Sequence, residues 1–268
     1  GHSMGGLASR EYIQNTYNWQ SDNKHHVAKL LTLGTPHGGS NASDIPGSFL
    51  PGTETRSEAL RDLKITYYYS GEPSRFLFGG IEINNSSNMN EHLFGPDYWN
   101  IDVNCNGTIG DNIVGLNQKP IDNIIDFSCV LGRINGSSSD GVVTETSGTL
   151  GNYFTGTGLT YPIKYFYYTS IGIENHTALP SQYYEIMQGL DEPNVKELSY
   201  RISTNKDYIG YTTVQNPTGA DNDFFKFTVT DNVNAVVSVT SIVTSSMNGT
   251  ILNSAGTAVG ASQNNSGN

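Results

Sequence analysis

The sequence is short of cysteine. Only Cys105 and Cys129 occur in 268 residues. No C-x-x-C pair is present, so a zinc ribbon is excluded. The two thiols are compatible with one disulfide in an oxidising compartment or with two free cysteines. Charge is also scarce, at 15% of residues, and positive charge most of all. Fourteen Lys and Arg face 25 Asp and Glu, for a net charge of −11. Such a surface repels phosphate backbones, which argues against nucleic acid as a partner. It gives no help on anionic membranes either. No run approaches the roughly 18–20 apolar residues that cross a bilayer, so no transmembrane segment is expected. An H-E-x-x-H metalloprotease motif is missing. So is any internal repeat with a period of about 20–50 residues. No signal peptide opens the chain. Residue 1 already lies inside a motif and the last residues form a polar tail, so the sequence reads as a fragment open at both ends. Taken alone, it is expected to show neither a cooperative melt nor turnover.

What is present divides into two regions. Residues 1–198 mix helix and strand signals. Residues 199–268 are rich in Thr, Val, Ser and Asn and alternate with the period of strands, as in Phe225–Val229 and Val236–Val239. The join falls near Glu192–Asn194. In the first region a helix should follow Ser3, burying Leu7, Ala8 and Tyr12 on one face. Val27–Leu33 is a nearly continuous apolar run, as in a covered parallel strand. Phe127–Leu131, closed by Gly132, and Ile163–Thr169 read as two more strands. Pro180–Gln188 reads as a helix that Gly189 stops. A long insertion, residues 41–123, separates the first two strands. It carries Tyr67–Tyr69, Phe76–Phe78 and Tyr98–Trp99, and its length suggests a lid, a binding loop or disorder.

The chain opens Gly1-His2-Ser3-Met4-Gly5-Gly6, a G-x-S-x-G elbow. Such a turn exposes the serine hydroxyl above a sheet edge. It leaves room only for hydrogen at its flanks, and it aims the Met4 N–H at a developing oxyanion. Downstream, the first strand ends in Gly34-Thr35-Pro36-His37-Gly38-Gly39-Ser40. A serine nucleophile needs a base and an acid to orient it. Asp140 lies in the small-residue loop after the second strand, with Asp126, at the entry to that strand, as its rival. His176 follows the third strand and is the only histidine after Asp140. His25 and His26 read as solvated, and His92 as structural. His2 and His37 are candidate substrate-binding neighbours: His2 fills space beside the nucleophile, and His37 sits at the site mouth.

Together, GHSMGG and LTLGTPHGGS resemble the lipase branch of the α/β-hydrolase family. The resemblance implies a partial α/β-hydrolase fold: a parallel sheet with flanking helices, lacking its N-terminal strands. It also implies an acid in an S-D-G-V-V segment, here at Asp140, and the chain order Ser, acid, His. The substrate would be a small-molecule or lipid ester, and no cofactor would be required. A second oxyanion N–H would come from a loop this sequence does not contain. An acyltransferase or amidase with the same triad, or a non-catalytic surface-binding protein on this scaffold, are the alternatives. Asp221–Val229, Val236–Thr240 and Gly249–Gly256 resemble the bacterial pre-peptidase C-terminal domain, a small all-β sandwich-like module. That resemblance implies a secreted or cell-surface protein.

Asp102-Val103-Asn104-Cys105-Asn106-Gly107 sets oxygen side chains at alternate positions, as in the first half of an EF-hand-like calcium loop, with Asp111 as a further candidate ligand. Asn175-His176-Thr177 is one of several N-x-S/T triplets. These read as products of an Asn- and Thr-rich composition rather than as glycan sites.

Overall fold

The computed structural model describes residues 1–42, 58–67, 70–84, 101–154, 158–171, 175–191, 199–202, 223–229, 236–238, 247–259 and 263–265. The chain forms two compact units, Gly1–Lys226 and Phe227–Asn268. The join expected at residues 192–194 lies outside the described residues.

In chain order, the first unit holds α1 (Met4–Gln14), β1 (Lys29–Leu33), the short helices α2 (Glu58–Asp62) and α3 (Arg75–Phe78), and β2 (Gly80–Ile81). Next come β3 (Asn112–Ile113), β4 (Asp126–Ile134), α4 (Glu145–Gly148), β5 (Lys164–Ser170), α5 (Asn175–Ala178) and α6 (Tyr183–Leu190). Strands β1, β4 and β5 form a parallel sheet in that order, with β4 central. Lys29 pairs with Asp126 and Leu33 with Val130; Ser128 pairs with Lys164 and Ile134 with Ser170. This is an α/β arrangement.

The two-residue period of a strand sorts side chains to opposite faces. On one face Leu30, Phe127, Cys129 and Tyr165 join Ile13 of α1 in a core. On the other, Leu33, Val130, Leu31, Phe166 and Tyr168 join Leu179 and Ile186 of the α6 side. Both faces are therefore covered, which is why β4 is buried over its first seven residues. Helix α1 runs because Gly6, Leu7, Arg10, Ile13 and Gln14 recur at helical spacing on its buried side.

Several local expectations need correction. Gly132 does not close β4, which runs on to Ile134. Gly189 does not stop α6 but lies inside it. A Cβ there would stand 2.5 Å from Leu31 Cδ1, so that glycine serves close approach of the helix to β1. The end of α6 is instead met by cations. Lys29 Nζ donates to the carbonyls of Leu190 and Asp191, and Lys164 Nζ donates to that of Asp191. Pro180 sits in the preceding 3-10 turn, Leu179–Ser181.

The insertion is not structureless where it is described. Leu60, Leu63, Leu77 and Leu116 form a second core with Leu7, and Phe76 and Phe78 pack on it. Tyr67 is fully buried, and its hydroxyl accepts from the Arg75 N–H. Tyr67 is thus an interior group, and Phe76 and Phe78 are partly buried against the second core. Tyr68, Tyr69, Tyr98 and Trp99 lie outside the described residues.

Tyr200–Arg201 (β6) pairs in parallel with Phe225–Lys226 (β7). In the second unit, Met247–Gly249 (β8) pairs antiparallel with Gln263–Asn265 (β9). Between them a tight turn closes at Gly256, which donates to the Asn253 carbonyl. Asp221 and Asn222 of the C-terminal motif lie outside the described residues.

Candidate active site

The C-terminal ends of β1, β4 and β5 meet at one edge of the sheet, where open α/β folds gather ligand-binding groups. Gly1–Ser3 runs alongside the end of β1. Leu33 N–H donates to the Gly1 carbonyl and Ser3 N–H to the Leu33 carbonyl, each at 2.9 Å. Ser3 then turns directly into α1 at φ 51 and ψ −128, a conformation unfavourable for a residue with a side chain. Its hydroxyl makes no hydrogen bond among the described residues and is only half-buried. Met4, the first helical residue, has no carbonyl one turn back for its N–H.

The close packing that holds this turn comes from Gly1 and Gly6. A Cβ on Gly1 would stand 2.8 Å from the Gly5 carbonyl oxygen, and one on Gly6 would stand 2.0 Å from Thr35 Oγ1. Gly5 behaves differently from the sequence expectation, since a Cβ there meets nothing within 4 Å.

Asp140 lies in the loop after β4 and is 1% exposed. Its Oδ1 accepts from the N–H groups of Val142 at 2.9 Å and Val143 at 2.7 Å. Its Oδ2 lies 2.7 Å from His176 Nδ1. A carboxylate accepts only, so Nδ1 carries the proton and Nε2 offers its lone pair. His176 is 2% exposed. The two residues are 36 positions apart in the chain and meet because β4 and β5 are adjacent and parallel.

The rival acid is at the other end of the sheet. Asp126 opens β4 and is tied to Lys164 Nζ at 3.1 Å and Lys29 Nζ at 3.5 Å, at the entries of β5 and β1.

Three groups that the sequence did not single out support the pair. Gly34, at φ 53, lies under it: a Cβ there would stand 2.9 Å from Asp140 Oδ2 and 3.0 Å from His176 Nδ1. Asn175 is buried, and its Nδ2 donates to Ser170 Oγ at 2.8 Å and to the Arg133 carbonyl at 3.2 Å. That anchors the turn bearing His176 to the ends of β4 and β5 and takes Asn175 away from any glycan. Gly132 makes room for it, since a Cβ would stand 1.9 Å from Asn175 Oδ1. The sequence signal was available for Gly34, inside the GTPHGGS motif, but not for the other two.

His2 is half-buried and packs against His176. Its Nε2 lies 2.9 Å from the His176 carbonyl oxygen, and the two rings are 4.9 Å apart at a tilt of 41°. Burial pushes its pKa below that of an ordinary histidine.

His37 is not at a site mouth. It is fully buried, with Nδ1 3.2 Å from Arg10 Nη1 and Nε2 3.3 Å from Thr32 Oγ1. Arg10 is 1% exposed and also donates to Gln14 Oε1 and to Asn117 Oδ1. No carboxylate pairs with it among the described residues. Burial brings it down to about 10, and holds His37 well below its ordinary value, with the Arg10 charge adding to the effect. This cluster ties α1 to the loop after β1. Of the other histidines, His25 differs from expectation and His26 does not. His25 is buried, bonded to Asp122 Oδ2 at 3.1 Å and edge-on to Trp19. His26 is exposed and pairs with Asp22. His92 lies outside the described residues.

In the Asp102 loop, the side-chain oxygens are engaged by the loop's own N–H groups. Asp102 accepts from Asn106 N and Gly107 N, and Asn106 Oδ1 from Thr108 N. The amide nitrogens of Asn104 and Asn106 turn toward Asp111 Oδ2, at 2.8 and 2.6 Å. Buried Glu82 accepts from Val103 N and Asp111 N and pins both ends. Calcium requires six or more converging oxygens. This donor set, as arranged, does not fit it. Among the described residues no three His, Cys, Asp or Glu side chains gather to hold a metal, and no helix is long and apolar enough to cross a membrane. Cys105 is exposed and Cys129 buried, both as free thiols.

Compared with known proteins, the chain matches no family model, no curated protein and no solved structure.

Proposed function

We propose that this chain carries the catalytic centre of a serine hydrolase of the α/β-hydrolase type that cleaves carboxylic esters, lipid esters foremost. One observation carries the reading: a buried Asp140–His176 pair, 2.7 Å apart, stands at the sheet edge where Ser3 is held in a strained turn. A structural ion pair has no need of a neighbouring strained serine with an unbonded hydroxyl.

In the proposed reaction, His176 Nε2 takes the proton of the Ser3 hydroxyl as its oxygen attacks the ester carbonyl. Asp140 keeps the proton on Nδ1 and offsets the charge of the imidazolium. The N–H of Met4 donates to the oxyanion. The protonated base then gives its proton to the leaving alcohol. Water, deprotonated by the same imidazole, releases the acid and restores Ser3. No Ser3–His176 hydrogen bond is made among the described residues; in the proposed reaction it forms with substrate bound, as catalytic hydrogen bonds tighten in the complex. No step needs a metal. The C-terminal residues 199–268 serve, in this reading, as an accessory β module of a secreted enzyme.

The test is Ser3→Ala in the full-length parent protein, assayed on p-nitrophenyl esters of short and long acyl chains. Turnover is expected to fall by ~10⁴-fold or more. A fluorophosphonate should label Ser3 of the unmodified protein. Undiminished hydrolysis by the Ser3→Ala variant would overturn the proposal.

A further inference from the structure

We propose that His2 is a positioning residue for the base: its imidazole donates from Nε2 to the His176 carbonyl and holds that residue against Asp140. This inference rests on the ester hydrolase reading above and adds a second orienting contact to it.

The base sits on a helix of only four residues, Asn175–Ala178. So short an element supplies few backbone bonds of its own. His176 is therefore held mainly from outside, by three contacts. Asn175 fastens the turn to the ends of β4 and β5. Asp140 holds Nδ1. The third contact is His2, at 2.9 Å from the carbonyl. A carbonyl only accepts, so His2 must carry its proton on Nε2 and the bond has a fixed direction.

The contact joins the two ends of the reaction. His2 is the residue before Ser3, and its backbone is bridged to Leu33 of β1. Any shift of the strained turn therefore moves the ring that touches the base. The ring also lies 4.9 Å from that of His176, tilted by 41°. A cationic ring at that distance would oppose the imidazolium that forms in the reaction. Burial favours the neutral form of His2 and removes that opposition. The ring packs against the base, so its effect should appear in turnover and not in substrate affinity.

The test compares His2→Phe, His2→Gln and Ser3→Ala in the full-length parent protein, with a p-nitrophenyl ester as substrate and a thermal melt for each. His2→Phe keeps a ring and removes the donor. It should lower kcat by ten- to a hundredfold and change KM less than threefold. His2→Gln carries an amide N–H at about the reach of Nε2 and should recover kcat to within fivefold of the unmodified protein. Two equal losses, two unchanged variants, or a loss confined to KM would overturn the inference. If His2→Phe does not fold, His2→Gln decides alone: a folded Gln variant with kcat down more than tenfold refutes it. Ser3→Ala separates the two levels. Hydrolysis that survives it removes the hydrolase reading, whereas hydrolysis that depends on Ser3 but ignores His2 removes only this inference.

Discussion

Replacing Asp140 by Asn exchanges one buried oxygen for an NH2 group, and the surrounding hydrogen bonds dictate which one. Oδ1 accepts from two backbone N–H groups, those of Val142 and Val143. An NH2 in that place would face two donors, so the amide oxygen of Asn must take it. The NH2 then lies where Oδ2 now meets His176 Nδ1 at 2.7 Å. Facing a donor, Nδ1 has to present its lone pair, and the imidazole proton moves to Nε2. That is the wrong tautomer for removing a proton from Ser3. The imidazolium also loses the one carboxylate paired with it among the described residues. The expected loss is ~10⁴-fold in kcat with KM near its original value. At 1.36 kcal/mol per tenfold, this is about 5.4 kcal/mol of barrier. Stability should change little, because both backbone bonds persist and only their charge assistance is lost, about 1 kcal/mol. Steady-state ester hydrolysis beside a thermal melt separates the two effects. A folded Asn variant within tenfold of the original kcat would refute the assignment of Asp140 as the orienting acid.

Asp126→Asn should give the reverse pattern. It strips the carboxylate from Lys29 and Lys164 and costs about 3 kcal/mol of stability, read by denaturant unfolding, with kcat unchanged at temperatures where the variant is folded. Gly5→Ala should raise stability by about 0.5–1 kcal/mol, since its Cβ enters open space on a helix, whereas Gly6→Ala should lower the melting temperature because Thr35 is in the way. Burial raises Asp62 to about 6 from an ordinary 3.8. The folded chain therefore holds a proton that the unfolded chain releases. Its contribution is full below about pH 4 and is lost as pH climbs through 6, by up to about 3 kcal/mol. Asp62→Asn should flatten the dependence of the melting temperature on pH over that window, and an unchanged slope would exclude Asp62 as its source.

Much of this was readable along the chain because it depends on local patterns. The apolar runs around Leu30–Leu33 and Phe127–Leu131 become neighbouring parallel strands, and the Phe166–Tyr168 run becomes a third. Asp140 and His176, each placed beyond a strand by the order of the motifs, do meet. What failed was whatever depended on the far side of a contact. Gly5 and Gly6 look equivalent in the sequence, yet only Gly6 faces Thr35. Gly132 and Gly189 look like stops, but each is instead a place where another element passes close.

Histidines were the least legible residues, because the side chain suits a ligand, a base, a core strut or a solvated surface equally well. His25 and His37 are interior, His26 is exposed, and His2 leans on the base. Only packing separates these cases.

The parallel strands and the turn at Ser3 follow from strand period and turn chemistry, which are local properties of the chain. The tertiary structure decided which acid meets the imidazole. Asp126 and Asp140 bracket the same strand, and its direction in the sheet sends one to the lysines and the other to His176.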